Sequence, residues 1–111
     1  MKEIKVGEVK FSEKHLGVIA GPCVIENRDH SLKMASDIKI ISERLDLPII
    51  FKSSFDKANR TSIKSFRGPG IDEGMRILSD VKDETGLSIL TDIHTADQAD
   101  VVAEIADVIQ I

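Results

Sequence analysis

Three cations, Lys52, Lys57 and Arg60, fall in the stretch FKSSFDKANRTS, residues 51–62, among Ser53, Ser54, Asn59, Thr61 and Ser62. Lysine offers a point charge, and arginine offers a planar fork that matches phosphate or carboxylate. The hydroxyls and the Asn59 amide add neutral hydrogen bonds suited to phosphate oxygens or sugar hydroxyls. Asp56 is the one acid in the stretch. A solvated loop whose charges bind nothing is the bland alternative. It is weakened by what comes just before: Pro48, Ile49 and Ile50 read as a buried strand, and binding residues concentrate on loops that a rigid scaffold presents. The stretch therefore reads as the rim of an anion-binding mouth.

Other residues with chemical capacity sit at comparable places. Asp92 and His94 are two residues apart, so within a strand they point the same way. Such a pair can orient a hydroxyl, move a proton or hold a metal, and it can equally be a hydrogen-bonded structural pair. Cys23 is the chain's single cysteine. A lone cysteine is ordinarily a small buried hydrophobe. Its position after a strand opens a metal-ligand or nucleophile reading, although spacing brings no second ligand near it. Gln110 lies on the last strand. His15 and His30 read as surface residues.

The elements that must position these residues alternate. EIKVGEVKF, around Gly7, predicts a short N-terminal β-hairpin. LGVIA (16–20) reads as a buried strand ending at Gly21-Pro22. Asn27 or Asp29 caps a helix whose stripe is Leu32, Ala35, Ile38, Ile41 and Leu45. LPIIF (47–51) is a second strand. A second helix over 71–85 carries Ile71, Met75, Leu78 and Val81 and ends at Gly86. LSILTDI (87–93) is a third strand. Thr95 and Gln98 resemble a capping box for a third helix with Ala99, Val102 and Ile105 on its buried face. ADVIQI (106–111) is a fourth strand. This order predicts an α/β fold with parallel strands and right-handed crossovers. Every candidate residue then lies at the C-terminal ends of the strands, where such folds carry their sites. Four strands would be roughly the first half of a (β/α)8 TIM barrel, so the chain is expected to be the front portion of such a larger fold, or to need a partner. The 111 residues are thus expected to be a single partial barrel domain, truncated after the fourth strand.

Composition narrows the function classes. A net charge of −4 gives no support to a nucleic-acid or anionic-membrane partner. No apolar run approaches the roughly 20 residues of a membrane span, and the first fifteen residues lack a signal-peptide core. One cysteine makes no internal disulfide. These features predict a soluble cytoplasmic protein.

AGPCVIEN (20–27), FKSSFDKANRTSIKSFRGPG (51–70), ILTDIH (89–94) and DVIQI (107–111), in that order, resemble the 3-deoxy-D-manno-octulosonate 8-phosphate synthases. The related 3-deoxy-D-arabino-heptulosonate 7-phosphate synthases share the glycine-proline-cysteine opening. They typically carry lysine-proline-arginine-threonine where this chain has KANRTS. The resemblance implies a bacterial cytoplasmic homotetramer of (β/α)8 barrels. Its reaction condenses phosphoenolpyruvate with D-arabinose 5-phosphate and water, releases inorganic phosphate and feeds lipopolysaccharide synthesis. It implies that Lys52, Ser54 and Lys57 meet phosphoenolpyruvate or the reacting centre, with Lys52, Lys57 and Asp92 as the catalytic set. Gln110 falls near the same ligand. Asn59, Arg60 and Thr61 match the arabinose 5-phosphate segment, Thr61 standing where serine is usual, and Asp92 matches a sugar contact. Cys23 matches the metal-dependent class, whose divalent ion (zinc, iron(II), manganese or cobalt) takes its remaining ligands from later strands, downstream of residue 111. The 111 residues alone are therefore expected to be inactive. A heptulosonate synthase, or a non-catalytic half-barrel that binds phosphorylated ligands, are the alternative readings.

Overall fold

The computed structural model of the chain describes residues 2–57 and 66–111. Asn59, Arg60 and Thr61 lie outside the described residues. An N-terminal hairpin pairs β1 (Ile4–Val6) with β2 (Val9–Phe11), antiparallel, with Val6 opposite Val9 across a Gly7-Glu8 turn. The chain then alternates: β3 (Val18–Ala20), α1 (Arg28–Leu45), β4 (Ile49–Lys52), α2 (Ile71–Thr85), β5 (Ile89–Asp92), α3 (Gln98–Ala103) and β6 (Val108–Gln110). The four strands β3 to β6 form one parallel sheet in sequence order. The α/β class, the hairpin and the parallel order expected from the sequence are all present.

Helix boundaries follow local chemistry. Asn27 caps α1, its Oδ1 accepting the His30 N–H at 2.8 Å. Gly86 closes α2 in a left-handed conformation, and its N–H bonds to the Lys82 carbonyl. At α3 the capping box is half made. The Gln98 side chain accepts the N–H groups of His94 and Thr95, at 2.8 and 3.4 Å, but the residue at the cap, Asp97, makes no side-chain bond to the helix.

Parallel pairing sorts the sheet residues onto two faces. Because side chains alternate along a strand, Phe51, Ile89 and Ile109 share the face that packs against the helices, in a core with Ile25, Phe55, Met75, Leu78, Val81 and Val102. Ile50, Leu90 and Val108 point the other way and meet Val9 of the hairpin. The hairpin therefore covers this second face where Ile50, Leu90 and Val108 stand. Lys52, Asp92 and Gln110 continue the same face toward the strand ends.

Two expectations need correction. Among the described residues LGVIA is an edge strand rather than a buried one: β3 pairs there with β4 alone, and Leu16 is 75% and Ile19 44% exposed. The stripe of α1 is likewise shorter than expected. Leu32, Ala35 and Ile38 reach the core, whereas Ile41 and Leu45 are 49% and 64% exposed. α1 packs mainly on α2 and β4.

Beyond β3 the backbones come very close. A Cβ built on Gly21 would lie 1.8 Å from the Lys52 carbonyl oxygen, so no side chain fits there. Gly21→Ala is expected to push β3 and β4 apart at their C-terminal ends and to cost about 1–3 kcal/mol. The shift of the urea unfolding midpoint measures it, and an unchanged midpoint would remove the constraint.

Candidate active site

The strand ends are extended by further parallel pairing. Val24 bridges Ser54, the Ser54 N–H donates to the Cys23 carbonyl at 3.2 Å, and the Ile25 N–H donates to the Ser54 carbonyl at 2.9 Å. The Ser53 hydroxyl donates to the Pro22 carbonyl at 2.8 Å. From the neighbouring strand the buried Thr91 hydroxyl donates to the Ser53 carbonyl at 2.7 Å. Gly21-Pro22-Cys23, Ser53-Ser54 and Thr91 thus form one hydrogen-bonded layer across three strands. Ser53 and Ser54, at 0% and 6% exposure, belong largely to this layer.

Phe55 then turns back into the core and is 1% exposed. Its ring meets His94 edge-on, with centroids 6.1 Å apart. The His94 Nε2 lies 2.6 Å from the Asp56 carbonyl and 3.6 Å from Asp92 Oδ2. Since a carbonyl can only accept, that nitrogen carries the proton. Asp92 and His94 do face each other, although β5 ends at Asp92. The Asp92 Oδ1 is buried and has no hydrogen-bond partner among the described residues. That oxygen keeps its capacity to accept a hydrogen bond.

Lys52 and Lys57 are half-buried, and neither has a carboxylate partner within 4 Å among the described residues. The arginine after the stretch behaves differently. Arg67 forks onto Asp56, Nε to Oδ1 at 2.5 Å and Nη2 to Oδ2 at 3.1 Å. These hydrogen bonds hold the guanidinium pKa above its ordinary value. Two cations without acids, beside hydroxyls and a buried carboxylate oxygen, fit a ligand that carries both negative charge and hydroxyl groups.

The described residues bring together Cys23, Ser54, Lys52, Lys57 and Asp92 at one end of the sheet, with Gln110 beside Asp92 in register and exposed. Cys23 is exposed, contrary to the buried-hydrophobe reading. No group of three or more histidine, cysteine, aspartate or glutamate side chains that could hold a metal gathers among the described residues. Taken alone, these residues do not fit a metal centre, and Cys23 would be a single ligand. His30, expected at the surface, is half-buried and lies 3.6 Å from Glu26. Sequence reasoning missed Arg67 and the bond from His94 to the Asp56 backbone. The signal for Arg67 was its place before Gly68-Pro69-Gly70. The backbone bond leaves no trace in residue types.

The profile of the DAHP synthetase I family matches residues 3–111. The chain is 58% identical over 98 residues to the 2-dehydro-3-deoxyphosphooctonate aldolase of Campylobacter jejuni strain RM1221, covering 88% of this chain and 36% of that protein. It is 52% identical to the protein of the same name from Trichlorobacter lovleyi, over 99% of this chain and 41% of that one. For the Koribacter versatilis protein, again of that name, the values are 49%, 100% and 40%. The chain spans about two fifths of the length of these curated relatives. It belongs to the DAHP synthetase I family.

Thr91 joins β5 to the Ser53 turn without touching the half-buried lysines' charges. Thr91→Val is expected to cost about 1–2 kcal/mol by leaving the Ser53 carbonyl short of its donor, and Thr91→Ser to cost less than Thr91→Val. Chemical denaturation of both variants checks this.

Proposed function

From membership of that family, we propose that the protein carrying this chain condenses phosphoenolpyruvate with D-arabinose 5-phosphate and water. The products would be 3-deoxy-D-manno-octulosonate 8-phosphate and inorganic phosphate. The observation that carries the reading is that Lys52 and Lys57, at and just beyond the end of β4, have no acid partner among the described residues, while Asp92, on the sheet face that Lys52 shares, has an unpartnered Oδ1. Both substrates bear phosphate, and one bears hydroxyls. The relatives' name, 2-dehydro-3-deoxyphosphooctonate aldolase, supports this sugar over erythrose 4-phosphate, the substrate of the heptulosonate alternative.

In this reading carbon 3 of phosphoenolpyruvate attacks the sugar aldehyde, and the aldehyde oxygen takes a proton. Water adds to carbon 2, and the carbon–oxygen bond to phosphate then breaks. Lys52 and Lys57 offset charge on the phosphoenolpyruvate carboxylate and phosphate as it moves. Ser54 and Gln110 supply neutral contacts to the same ligand, and Asp92 accepts a sugar hydroxyl proton in a hydrogen bond. Asn59, Arg60 and Thr61 hold the arabinose 5-phosphate. The four parallel strands are taken as the first half of a (β/α)8 barrel in a cytoplasmic homotetramer. Among the described residues no helix is long and apolar enough to cross a membrane, which agrees with that placement. The 111 residues alone are expected to be inactive, since Cys23 alone would not complete a metal site and the remaining ligands are expected downstream of residue 111.

Incubating the protein with phosphoenolpyruvate and each aldose phosphate in turn tests the reading by phosphate release. Consumption with arabinose 5-phosphate and not with erythrose 4-phosphate is expected, and the reverse would select the heptulosonate synthase. Binding of both substrates without phosphate release would select the non-catalytic half-barrel. Asp92→Asn is expected to lower turnover about a hundredfold, as for a lost catalytic-site interaction, while leaving phosphoenolpyruvate affinity nearly intact. Wild-type turnover in that variant would remove Asp92 from the site.

Cys23 is offered as one thiolate ligand to a divalent zinc, iron, manganese or cobalt ion, which the described residues do not complete. Cys23→Asn is expected to lower the metal bound per subunit, measured by elemental analysis, and to leave any remaining activity insensitive to chelator. Unchanged metal content in the variant would return Cys23 to an ordinary exposed thiol.

A further inference from the structure

The segment Phe66–Gly70 has no substrate role in the reading above, yet it is laced along the site. The Lys57 N–H donates to the Arg67 carbonyl at 2.6 Å, and the Gly70 N–H donates to the Phe55 carbonyl at 3.1 Å. Gly68 has φ +118°, and a Cβ there would lie 2.4 Å from the Phe55 oxygen, so only glycine permits this approach. Between these ties the Arg67 guanidinium forks onto the Asp56 carboxylate. The Asp56 side chain is 20% exposed and that of Arg67 56% exposed.

The backbone of Asp56 links this clamp to the chemistry. Its carbonyl receives the His94 Nε2 proton at 2.6 Å, and the same nitrogen lies 3.6 Å from Asp92 Oδ2. One arginine thus touches both candidate groups indirectly. Its main chain holds the N–H of Lys57, and its side chain holds the residue whose carbonyl orients the imidazole beside Asp92. We propose that Arg67 is a positioning residue: its fork on Asp56 fixes Lys57 and the His94–Asp92 pair relative to each other.

A planar fork sets two distances at once, and a point charge sets one, so lysine is an incomplete substitute. An ion pair whose arginine is this exposed contributes little to stability. A large kinetic effect would therefore come from geometry, because small displacements of catalytic groups lower rates steeply. The naming of the ligand rests on the proposed synthase reading. The geometry of the clamp does not.

The test compares Arg67→Ala and Arg67→Lys with wild type in the intact protein, at a temperature where circular dichroism shows each folded. Arg67→Ala is expected to lower kcat/KM for phosphoenolpyruvate about tenfold or more, with Arg67→Lys in between. Ring nitrogen-15 shifts of His94 give the second readout. Wild type is expected to show the Nε2–H tautomer, and Arg67→Ala a mixture of tautomers. Wild-type kinetics in Arg67→Ala, or His94 shifts unchanged in it, overturns the proposal. Should Arg67→Ala not fold, Arg67→Lys decides: a measurable loss in kcat/KM with altered His94 shifts supports the proposal, and identity with wild type overturns it. Should wild type not consume phosphoenolpyruvate with arabinose 5-phosphate, the synthase reading fails, and the His94 shifts alone judge the clamp.

Discussion

The site depends on β3 and β4 remaining paired after both have ceased to be regular strand. At Gly21 the two backbones approach so closely that a methyl group would overlap the Lys52 carbonyl. Past that point the chains continue side by side, with Ser54 bonded to Cys23 and Ile25 bonded to Ser54. The Ser53 and Thr91 hydroxyls then bond to main-chain carbonyls across the layer. Without this continuation the polar residues after β4 would leave the sheet as a free loop. With it, Cys23, Lys52, Ser54 and Asp92 share one rigid floor, the kind of support that precise placement of reacting groups requires.

A second constraint is the division of the sheet into two faces. Phe51, Ile89 and Ile109 are spent on the helices, so their neighbours in sequence must point away. Ile50, Leu90 and Val108 are covered by Val9 of the hairpin. Lys52, Asp92 and Gln110 stand one step further along the same face. The period of two in a strand thus converts an apolar lower half into a polar upper half without any break in the pairing. The hairpin has a structural task here, since it covers apolar residues that the helices cannot reach.

Charge is distributed unevenly over this arrangement. Some basic residues on the described surface meet acids at short range, as Arg28 meets Asp80 and Glu84, Arg76 meets Glu73, and Lys82 meets Asp107. Such exposed pairs add little individually. Lys52 and Lys57 have no such partner among the described residues, and Asp56 beside them is engaged by Arg67. A net charge of −4 is compatible with the local anion site proposed above. Attraction of a phosphorylated ligand depends on that local field more than on the net charge.

Much of this was legible in the sequence. Apolar periodicity and the residues Asn27, Gly7 and Gly86 set the helices, the hairpin turn and the strand order, because those signals act within a few residues of where they stand. The polar residues were also assignable to one end of the sheet, since parallel strands must all end on the same side. What the sequence did not contain was which apolar residues are covered. Leu16, Ile19, Ile41 and Leu45 look like core by pattern and are exposed, because burial depends on whether a neighbour exists on that flank. Nor did it contain the fork of Arg67 on Asp56, the bond from His94 to a main-chain carbonyl, or the exposure of Cys23. These contacts join positions far apart in the chain, and the Asp56 carbonyl is a group that every residue carries. Residue type and spacing are blind to such a partner, so only the folded backbone decides it.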